Sequence, residues 1–561
     1  MTKLFLALLI TSFALGAQKH VTVAGAGRHT GADAANAWRL SEANASAAAG
    51  DTVNIHAGTY ATGIVPVHSG SAGNPIVFRN YRSDVCSIHV SSYPIKIQKV
   101  NYIIVQGIRA QLTQGYGKES HAAYVKTSNH SAILDCYIYG GTMLDAGPTS
   151  YFTVVMGDAL YFRFIGNYVD RQDPFIMNGS GFGARPDYRG DGVTVFGDSR
   201  FCIIEGNTVV NVSHFAFSTA DTYTSGLSHN IWRNNVAYNC HGLFGSGGWC
   251  DRNLWEGNRG WSPGRIADRG GVTMEFSTIR NIVRYNEFYD DSISASGAYR
   301  APGGNNQGIT QGKYSNFYQN RLYHNAFVGV SRTPLARYSL YLVNNEGNWT
   351  FGQNIFTNNI IAYPNRGYKS TPFFYQNNYG SINDSLRGNL FWNYARGKDV
   401  FRYQDSVNYT LAAAIRAFPR LWESSNIEGS PLWVDSTSIR GARTFTLGAT
   451  SPCIDAGVEL TNVVGTVRNS KVVPVQDASY FHYDWGASPY DQGDSVMIGT
   501  DRCKIDSIDY AANKLILVRA ITADNGDDVN VLATYSTRTG RYTNRLSGSA
   551  PDIGPFELFS E

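Results

Sequence analysis

Charged residues are scarce in this sequence: Asp, Glu, Lys and Arg make up 16% of its 561 residues, against 43% hydrophobic residues. A disordered chain shows the opposite balance, so the composition predicts a folded, globular protein. The formal net charge is only +3 and there is no concentrated basic run, which argues against a nucleic-acid-binding protein. Beyond the N-terminus, no segment is apolar enough to cross a membrane. The 58 glycines and 13% aromatic residues favour a protein of strands and turns.

Cysteines are also few, and their number, seven, is odd. At least one thiol therefore stays unpaired within the chain, even where export permits disulfides. Cys136 and Cys202 lie in apolar, strand-like contexts and are predicted to be small buried side chains. Cys240 and Cys250 are close enough in sequence to pair across a turn. No Cys-x-x-Cys or Cys/His spacing indicates a zinc site.

The first 17 residues have the pattern of an export signal. Lys3 supplies a positive charge, residues 4–10 an apolar core, and residues 14–17 a small-residue cleavage region. The apolar core is too short to be a stable membrane anchor, and no cysteine follows the cleavage region as a lipoprotein would require. We expect a mature protein that begins near Gln18 and is secreted, either to the periplasm or outside the cell.

Short apolar segments that end in asparagine recur along the chain. Three strands of four to six residues with three turns need roughly 22 to 25 residues per coil, and larger spacings indicate loop insertions. Asparagine tolerates the left-handed geometry of a tight turn, and stacked asparagines can hydrogen-bond from coil to coil. The repeat predicts an all-β, right-handed parallel β-helix from about residue 75 to about residue 400. The asparagines concerned are Asn167, Asn207, Asn235, Asn258, Asn286, Asn320, Asn359 and Asn389.

Both ends of the chain resemble a known superfamily. Residues 24–60 look like an N-terminal cap and first coil, and residues 75–84 and 101–110 are similar to the coils that follow. The segments SPCIDAG (451–457) and PDIGPFE (551–557) look like closing segments. These resemble secreted right-handed parallel β-helix proteins of the pectate-lyase-like superfamily, which includes pectate-lyase-like and chondroitinase-like polysaccharide lyases. The resemblance implies the fold and does not specify a reaction.

The chain divides into four predicted parts: a signal peptide (1–17), a capped β-helix (18–464), a small antiparallel β insertion (465–545) and a closing segment (546–561). Alternating apolar residues predict the insertion. Residues 35–49 and 411–423 have helical character, and the first of these helices is expected to cap the solenoid. The acidic run 524–528 suits a hairpin turn, with a calcium site as the alternative.

A column of polar residues is predicted along one groove of the β-helix, because outward residues of successive coils stack about 4.8 Å apart. The strands aligned for this purpose are 192–196, 215–219, 242–246, 271–276, 292–296 and 327–331. The residues at the start of these strands are Asp191, His214, His241, Arg269, Asp291 and His324. Period-two alternation places Glu275 on the groove floor, although a slip of one residue would bury it.

Long loops flank these strands and carry cationic and aromatic residues, which suit carboxylates and the faces of sugars. Together with His324, they are expected to bind a polysaccharide. The loop residues are Arg185, Trp249, Arg265, Tyr299 and Arg300.

Among the residues of the predicted column and its flanking loops, cations and histidines outnumber carboxylates. This favours cleavage of a uronate-containing polysaccharide by β-elimination. His214 or His241 would be the base, and Arg269, or alternatively Arg265 or Arg300, would neutralise the uronate. Calcium held by Asp191, Glu275 or Asp291 is an alternative neutraliser. The Glu, Lys and Arg signature of chondroitinase-like lyases has no counterpart, since residues 251–312 contain no lysine. The pectate lyase motifs are absent too.

Two other functions remain open. A glycoside hydrolase would pair Glu275 with Asp291 or Asp191. A glycan-binding scaffold, adhesin or surface protein would need no catalyst, and the column would then serve recognition. Asp191 also suits an ordinary turn before glycine, and Glu275 a salt bridge with Arg269. The sequence leaves the oligomeric state and the polysaccharide open.

Overall fold

Short parallel strands stacked coil upon coil form most of this computed structural model. The right-handed parallel β-helix and the small antiparallel sheet at its C-terminal end are as predicted. None of the helices in the described residues has the length and apolar character needed to span a bilayer. The structure describes residues 16–113, 120–140, 151–171, 190–220, 226–246, 250–263, 272–274, 278–291, 309–311, 317–329, 340–344, 351–363, 373–377, 383–393, 399–403, 407–434, 446–487, 489–536, 538–555 and 557.

A 13-stranded parallel sheet, here called the first sheet, runs the length of the solenoid. Its strands alternate between the core and the outer face, as in Ile103–Gln106, where Ile103 and Val105 are buried. The strands are Gln18–Val21, Thr52–Ile55, Ile76–Asn80, Ile103–Gln106, Ala132–Leu134, Arg163–Ile165, Ile203–Glu205, Ile231–Arg233, Leu254–Glu256, Ile282–Arg284, Arg321–Tyr323, Ile355–Thr357 and Ser385–Arg387.

A 19-stranded sheet supplies the other two sides, because two of its strands run through the bend between them. The second stack, which follows the first sheet in each coil, contains Gly58–Tyr60, Cys86–Val90, Arg109–Leu112, Tyr137–Tyr139, Tyr168–Asp170, Arg259–Pro263, Glu287–Asp291, Ala326–Gly329, Ile360–Tyr363, Leu390–Asn393 and Ile427–Glu428. The third stack contains Ile95–Gln98, Ala123–Lys126, Tyr151–Gly157, Gly190–Phe196, Val272–Met274 and Ile309–Gln311. The strands that belong to both stacks are Thr208–Ala220 and Val236–Ser246.

Smaller elements complete the solenoid. A 5-stranded sheet contains Leu227–Ser228, Cys250–Asp251, Thr278–Ile279, Phe317–Tyr318 and Phe351–Gly352, and a 4-stranded sheet contains Leu340–Asn344, Phe373–Asn377, Asp399–Tyr403 and Val407–Thr410. The predicted cap helix is shorter than 35–49: it consists of a 3-10 turn at Ala34–Asn36 and an α-helix at Leu40–Ser46. The second predicted helix spans Leu411–Ala417, and Thr410 caps its first turn.

Two ladders of buried amides flank the first sheet. In each ladder, a side-chain oxygen accepts hydrogen bonds from the residue one coil earlier: Asn258 donates its main-chain N–H (2.8 Å) and its Nδ2 (3.0 Å) to Asn286 Oδ1. The ladder after the sheet contains Asn167, Asn207, Asn235, Asn258, Asn286, Asn325, Asn359, Asn389 and Asn426. The ladder before it contains Asn230, Asn253, Asn281, Asn320, Asn354 and Asp384.

The ladders correct two sequence predictions. Asn320 belongs to the ladder before the first sheet, and Asn325 occupies the position that was assigned to it. In all but the last turn of each ladder, the left-handed residue is the one that precedes the ladder asparagine, as Gly257 (φ 62°) precedes Asn258. The asparagines therefore stabilise the turns by hydrogen bonding and not by tolerating a positive φ.

The seven cysteines are buried free thiols. Cys136 and Cys202 are buried as predicted, and burial raises the pKa of each to about 12. Cys240 and Cys250, which are close enough in sequence to pair, do not form a disulfide. The Cys240 thiol lies 3.1 Å from the carbonyl of Tyr238, whereas the Cys250 thiol contacts Thr219 Oγ1 at 3.1 Å.

A 7-stranded antiparallel sheet at the C-terminal end packs on the outer face of the first sheet. A bridge between Val463 and Val475 joins the two ends of its strand order. Isoleucines of successive coils, including Ile203 and Ile231, share a buried cluster with Val496 of this sheet. The strands are Thr461–Asn462, Val467–Pro474, Ser495–Ile498, Asp501–Asp509, Lys514–Ala523, Asp528–Ser536 and Arg541–Asn544, with a 3-10 turn at Ala478–Tyr480.

The acidic run 524–528 connects two strands that are not neighbours in this sheet, so it is not the predicted hairpin turn. Its side chains stabilise the connection. Asp527 Oδ2 accepts the main-chain N–H of Asp524 at 2.8 Å, and Arg468 Nη2 donates to Asp524 Oδ1 at 2.8 Å.

Opposite charges are buried where the C-terminal sheet meets the solenoid. Arg284 Nη2 lies 2.7 Å from Glu256 Oε2 and 2.6 Å from Asp494 Oδ1. Arg233 Nη1 donates to Asp491 Oδ1 at 3.1 Å. All five side chains are essentially inaccessible to solvent, so each charge depends on its partners. We call this set, with His482, the interface charge network.

His482 joins the two aspartates of this network. Its Nε2 lies 2.8 Å from Asp491 Oδ2 and its Nδ1 3.1 Å from Asp494 Oδ1. Burial lowers the pKa of His482, but the two carboxylates outweigh this effect and raise it to about 9. The paired cations hold the pKa of both aspartates well below the usual range, against the opposing effect of burial.

We expect the free energy of unfolding to fall as pH rises from about 6.5 to about 9. A histidine whose pKa is raised on folding stabilises the folded state fully below its unfolded pKa, and this stability is lost as pH rises through the folded pKa. The loss amounts to about 3 kcal/mol. Urea unfolding at several pH values measures it. His482→Gln should flatten the pH dependence and the control, exposed His68→Gln, should not; equal pH dependence in both would contradict the assignment.

Candidate functional site

The outward face of the third stack is the candidate site, because it contains the strands on which the predicted polar column lies. Along this face the in-register residues become smaller towards the middle of the solenoid, where Val155, Thr194 and Ser218 are at most 3% exposed. In coil order they are Lys96, Tyr124, Val155, Thr194, Ser218 and Gly245. The alternate residues, such as Val193, Val195 and Phe217, are fully buried in the core.

A carboxylate organises the start of two of these strands. Asp191 Oδ2 accepts hydrogen bonds from Ser218 Oγ at 2.6 Å and Thr194 Oγ1 at 3.4 Å, and Oδ1 accepts the main-chain N–H of Phe215 at 3.1 Å. Arg171 donates to the main-chain oxygen of Asp191 at 3.3 Å. The Asp191 side chain is 5% exposed. Three hydrogen bonds make it a positioning group that fixes the coil-to-coil register at the groove.

His214 and His241 lie on consecutive coils next to Asp191. The strand Thr208–Ala220 has an irregularity between Val212 and Phe215, which pair with Cys240 and Gly242 respectively. The backbone therefore brings the His214 and His241 positions to the same bend, where the second stack turns into the third. Their side chains lie outside the described residues.

The predicted column is wrong beyond the fourth strand. Val272–Met274 pairs with Ile309–Gln311, and not with a strand at 292–296. Asp291 ends a strand of the second stack, where it pairs with Pro263. The segment 327–331 was aligned with the groove, but Ala326–Gly329 also belongs to the second stack. The alignment counted a fixed number of residues from each ladder asparagine to the groove strand. This failed because in some coils one strand continues from the second stack into the third, whereas in others a long segment separates the two strands.

His324 is therefore not a groove residue, and its predicted role in binding substrate is corrected. It is the left-handed residue (φ 51°) before ladder residue Asn325, and its side chain is buried. Nδ1 lies 3.0 Å from the main-chain oxygen of Asp552, and the ring stacks on Tyr285 at 5.2 Å. Burial lowers the pKa of His324 to about 4. The imidazole thus fixes the closing segment on the coil.

The remaining predicted site residues lie outside the described residues. Their roles stay predictions. They are Arg185, Trp249, Arg265, Arg269, Glu275, Tyr299 and Arg300.

No metal site is apparent in the described part of the chain, where no group of three or more His, Cys, Asp or Glu side chains is arranged to hold an ion. Asp191 directs its carboxylate to protein donors. Of the other two predicted calcium ligands, Asp291 ends a strand of the second stack and Glu275 lies outside the described residues. Calcium therefore stays a prediction.

The sequence interpretation missed a set of cationic and aromatic residues at the N-terminal end of the groove. Lys96 Nζ lies 4.7 Å from the ring centroid of Tyr93 and 6.0 Å from that of Tyr124. Lys126 Nζ lies 5.9 Å from the Phe196 ring. The signal was present: IKIQ and AYVK alternate with period two, which places both lysines on the outward face. The column had been aligned only from residue 191 onwards.

No family model matches the chain. A relative, the uncharacterized protein YwoF of Bacillus subtilis (strain 168), is 26% identical over 314 residues. The match covers 52% of this chain and 59% of the relative, so it spans only part of each protein.

Two solved structures are similar in fold. Pectate lyase Pel9A is 13% identical, and the match covers 80% of this chain and 93% of that chain with a TM-score of 0.38. The PL6 family alginate lyase AlyGC is 14% identical over 66% of this chain and 54% of that chain, with a TM-score of 0.40. The chain is a parallel β-helix protein. This conclusion rests on its own stacked parallel sheets.

Proposed function

We propose that this β-helix protein is secreted and cleaves an acidic, uronate-containing polysaccharide by β-elimination along the outward face of the third stack. The observation that carries the proposal is the position of His214 and His241 on consecutive coils, beside the hydrogen-bonded carboxylate of Asp191. In this proposal, one of the two histidines at this bend supplies the base.

The chemistry needs a base and a cation. The imidazole of His214 or His241 takes the C5 proton of a uronate unit, and the electron pair forms the C4–C5 double bond. The C4–oxygen bond breaks, and the leaving oxygen takes up a proton. Charge that develops on the uronate carboxylate needs a neutralising cation; Arg265, Arg269 and Arg300 are the proposed candidates, with calcium as the alternative.

Glycan binding without cleavage is the second candidate function, and the cationic and aromatic residues near Lys96 and Lys126 favour it. The hydrolase reading is weaker. Asp191 would need a free carboxylate to act beside the scissile bond, yet its oxygens accept three hydrogen bonds from Thr194, Phe215 and Ser218.

The test is ultraviolet absorbance of the protein incubated with a panel of uronate polysaccharides. We expect absorbance from unsaturated uronate to rise, and replacement of the base, by His214→Ala or His241→Ala, to lower the rate by roughly 10²–10⁴-fold. His68→Ala, an exposed histidine outside the third stack, is the control and should keep the parent rate.

Two further outcomes decide between the alternatives. Loss of activity with a chelator, restored by calcium, would move the neutralising role from arginine to a bound ion. A flat absorbance trace without new reducing ends, on uronate and on neutral glycans, would contradict cleavage and leave a binding scaffold. N-terminal sequencing of the exported protein should begin near Gln18, which tests secretion.

A further inference from the structure

Two lysines and three aromatic rings form a compact cluster on the third stack, which we call the lysine–aromatic patch: Tyr93, Lys96, Tyr124, Lys126 and Phe196. Lys96 and Tyr124 are paired in register on neighbouring strands, and Lys126 follows Tyr124 by two residues on the same face. All five residues are half-buried. The rings and ammonium groups are therefore held by packing but still reach the surface.

The patch lies on the same face of the third stack as the candidate site. Tyr124, Val155, Thr194 and Ser218 are consecutive in register along one outward column. Three coil steps separate the strand of Lys126 from that of Ser218, about 15 Å at about 4.8 Å per step. The patch and the bend of His214 and His241 thus lie along one face of the third stack, and Val155, Thr194 and Ser218 between them are buried.

Gly157 makes the arrangement of Phe196 and Lys126 possible. It lies between them in the third stack, paired with both. A Cβ added at Gly157 would collide with the Phe196 ring, because the ring packs directly over this strand. The ring in turn lies under the Lys126 ammonium, at 5.9 Å. The absence of a side chain at Gly157 thus leaves space for the Phe196 ring to pack below the Lys126 ammonium group.

The charge of the patch favours an acidic ligand. The ammonium groups of Lys96 and Lys126 approach aromatic rings, which hold a cation without neutralising its charge. Lys99, exposed on the turn after Lys96, adds a third positive charge. Sugar units present apolar C–H faces to aromatic rings, and uronate units add a carboxylate that lysine can bind.

We propose that the lysine–aromatic patch is a non-catalytic subsite that binds carboxylate-bearing sugar units about three coils from the bend of His214 and His241. The inference rests on the proposed function in taking the third stack as the groove. It adds the requirement that the bound polymer carries at least one further acidic unit besides the reacting one, since a subsite at this distance contacts units beyond the reacting one.

The experiment measures binding and cleavage separately for Lys96→Gln/Lys126→Gln. Binding is measured by calorimetry with oligogalacturonate, oligomannuronate and a neutral cello-oligosaccharide of equal length. We expect the double variant to bind the uronate probe at least about tenfold more weakly, with KM raised and kcat little changed, because the patch does not touch the reacting atoms. Lys96→Arg/Lys126→Arg should restore most of the affinity. The control is Lys471→Gln, an exposed lysine of the C-terminal sheet.

Each outcome separates this inference from the proposed function. Uronate binding that depends on the two lysines, without unsaturated product, leaves the subsite standing and removes the lyase. Cleavage with KM unchanged in the double variant removes the subsite alone. Equal loss of uronate and neutral binding, or no uronate binding by the parent protein, also overturns the subsite. A circular dichroism melt equal to that of the parent excludes misfolding as the cause.

Discussion

Arg284→Met should lower the free energy of unfolding by about 3–5 kcal/mol, because it removes one cation from a buried network of charges. The substitution leaves Glu256 and Asp494 without the guanidinium that lies 2.6–2.7 Å from each. Neither carboxylate can turn to water, since both are inaccessible. Tyr323 would lose a partner too, because Arg284 Nη1 lies 2.8 Å from its hydroxyl oxygen.

Urea unfolding and limited proteolysis measure this effect. Methionine fills much of the space of arginine, so the loss reports the missing charge more than a cavity. The matched control is Arg468→Met, whose guanidinium pairs with Asp524 on the exposed surface of the same C-terminal sheet; an exposed pair contributes little. The urea midpoint of Arg284→Met could instead lie as close to that of the parent as the midpoint of the control does. This result would show that the interface charge network does not hold the C-terminal sheet on the solenoid.

Asn286→Ala should cost about 3 kcal/mol or more, because one ladder asparagine satisfies several buried groups at once. Its Oδ1 accepts both the N–H and the Nδ2 of Asn258, and its Nδ2 donates to the main-chain oxygen of Trp255 (2.9 Å) and to Asn325 Oδ1 (2.9 Å). Each unsatisfied buried group costs about 1–3 kcal/mol.

Thermal and urea unfolding of Asn286→Ala are compared with those of Asn544→Ala, an exposed asparagine in an edge strand of the C-terminal sheet. The control removes a side chain without opening a ladder and should unfold like the parent. If both variants lost equally little stability, the ladder would be a consequence of the fold and not one of its supports.

The ladders show how much of the fold is visible in the sequence. Recurrent asparagines after apolar segments predicted the stacked coils correctly, because each coil repeats the same turn chemistry. A single asparagine per coil could not reveal that there are two ladders five residues apart, as in Asn253 and Asn258. Where both positions are asparagine, as in Asn320 and Asn325, the pattern alone gives no reason to choose the second.

The groove was harder to predict than the coils for a related reason. Register along one strand follows from alternation, and this is sufficient to place Thr194 and Ser218 on one outward face. The next strand in the stack, however, depends on the length of the excursion between two stacks. Ile309–Gln311 is separated from the preceding ladder turn by a second-stack strand and a long segment, which a count of residues does not resolve.

The docking of the C-terminal sheet could not be inferred from local patterns. Glu256 and Arg284 stand at outward positions of ordinary solenoid strands, where charged residues are normally solvated. Asp494, which pairs with Arg284, is 210 residues beyond it in the chain. Only the tertiary structure shows that an apolar row and a charged row on the same face are covered by another sheet.

Solenoids are built from nearest-neighbour contacts, so an array can open locally between any two coils. The C-terminal sheet changes this, because it is a splint across several coils, and those of Arg233 and Arg321 do not touch one another. Asp491 is joined to the coil of Arg233, Asp494 to that of Arg284, and Asp477 to that of Arg321. Opening any one of these coils must also break its contacts with the C-terminal sheet. The middle of the solenoid therefore opens as one cooperative unit. The groove strands of these same coils share that rigidity.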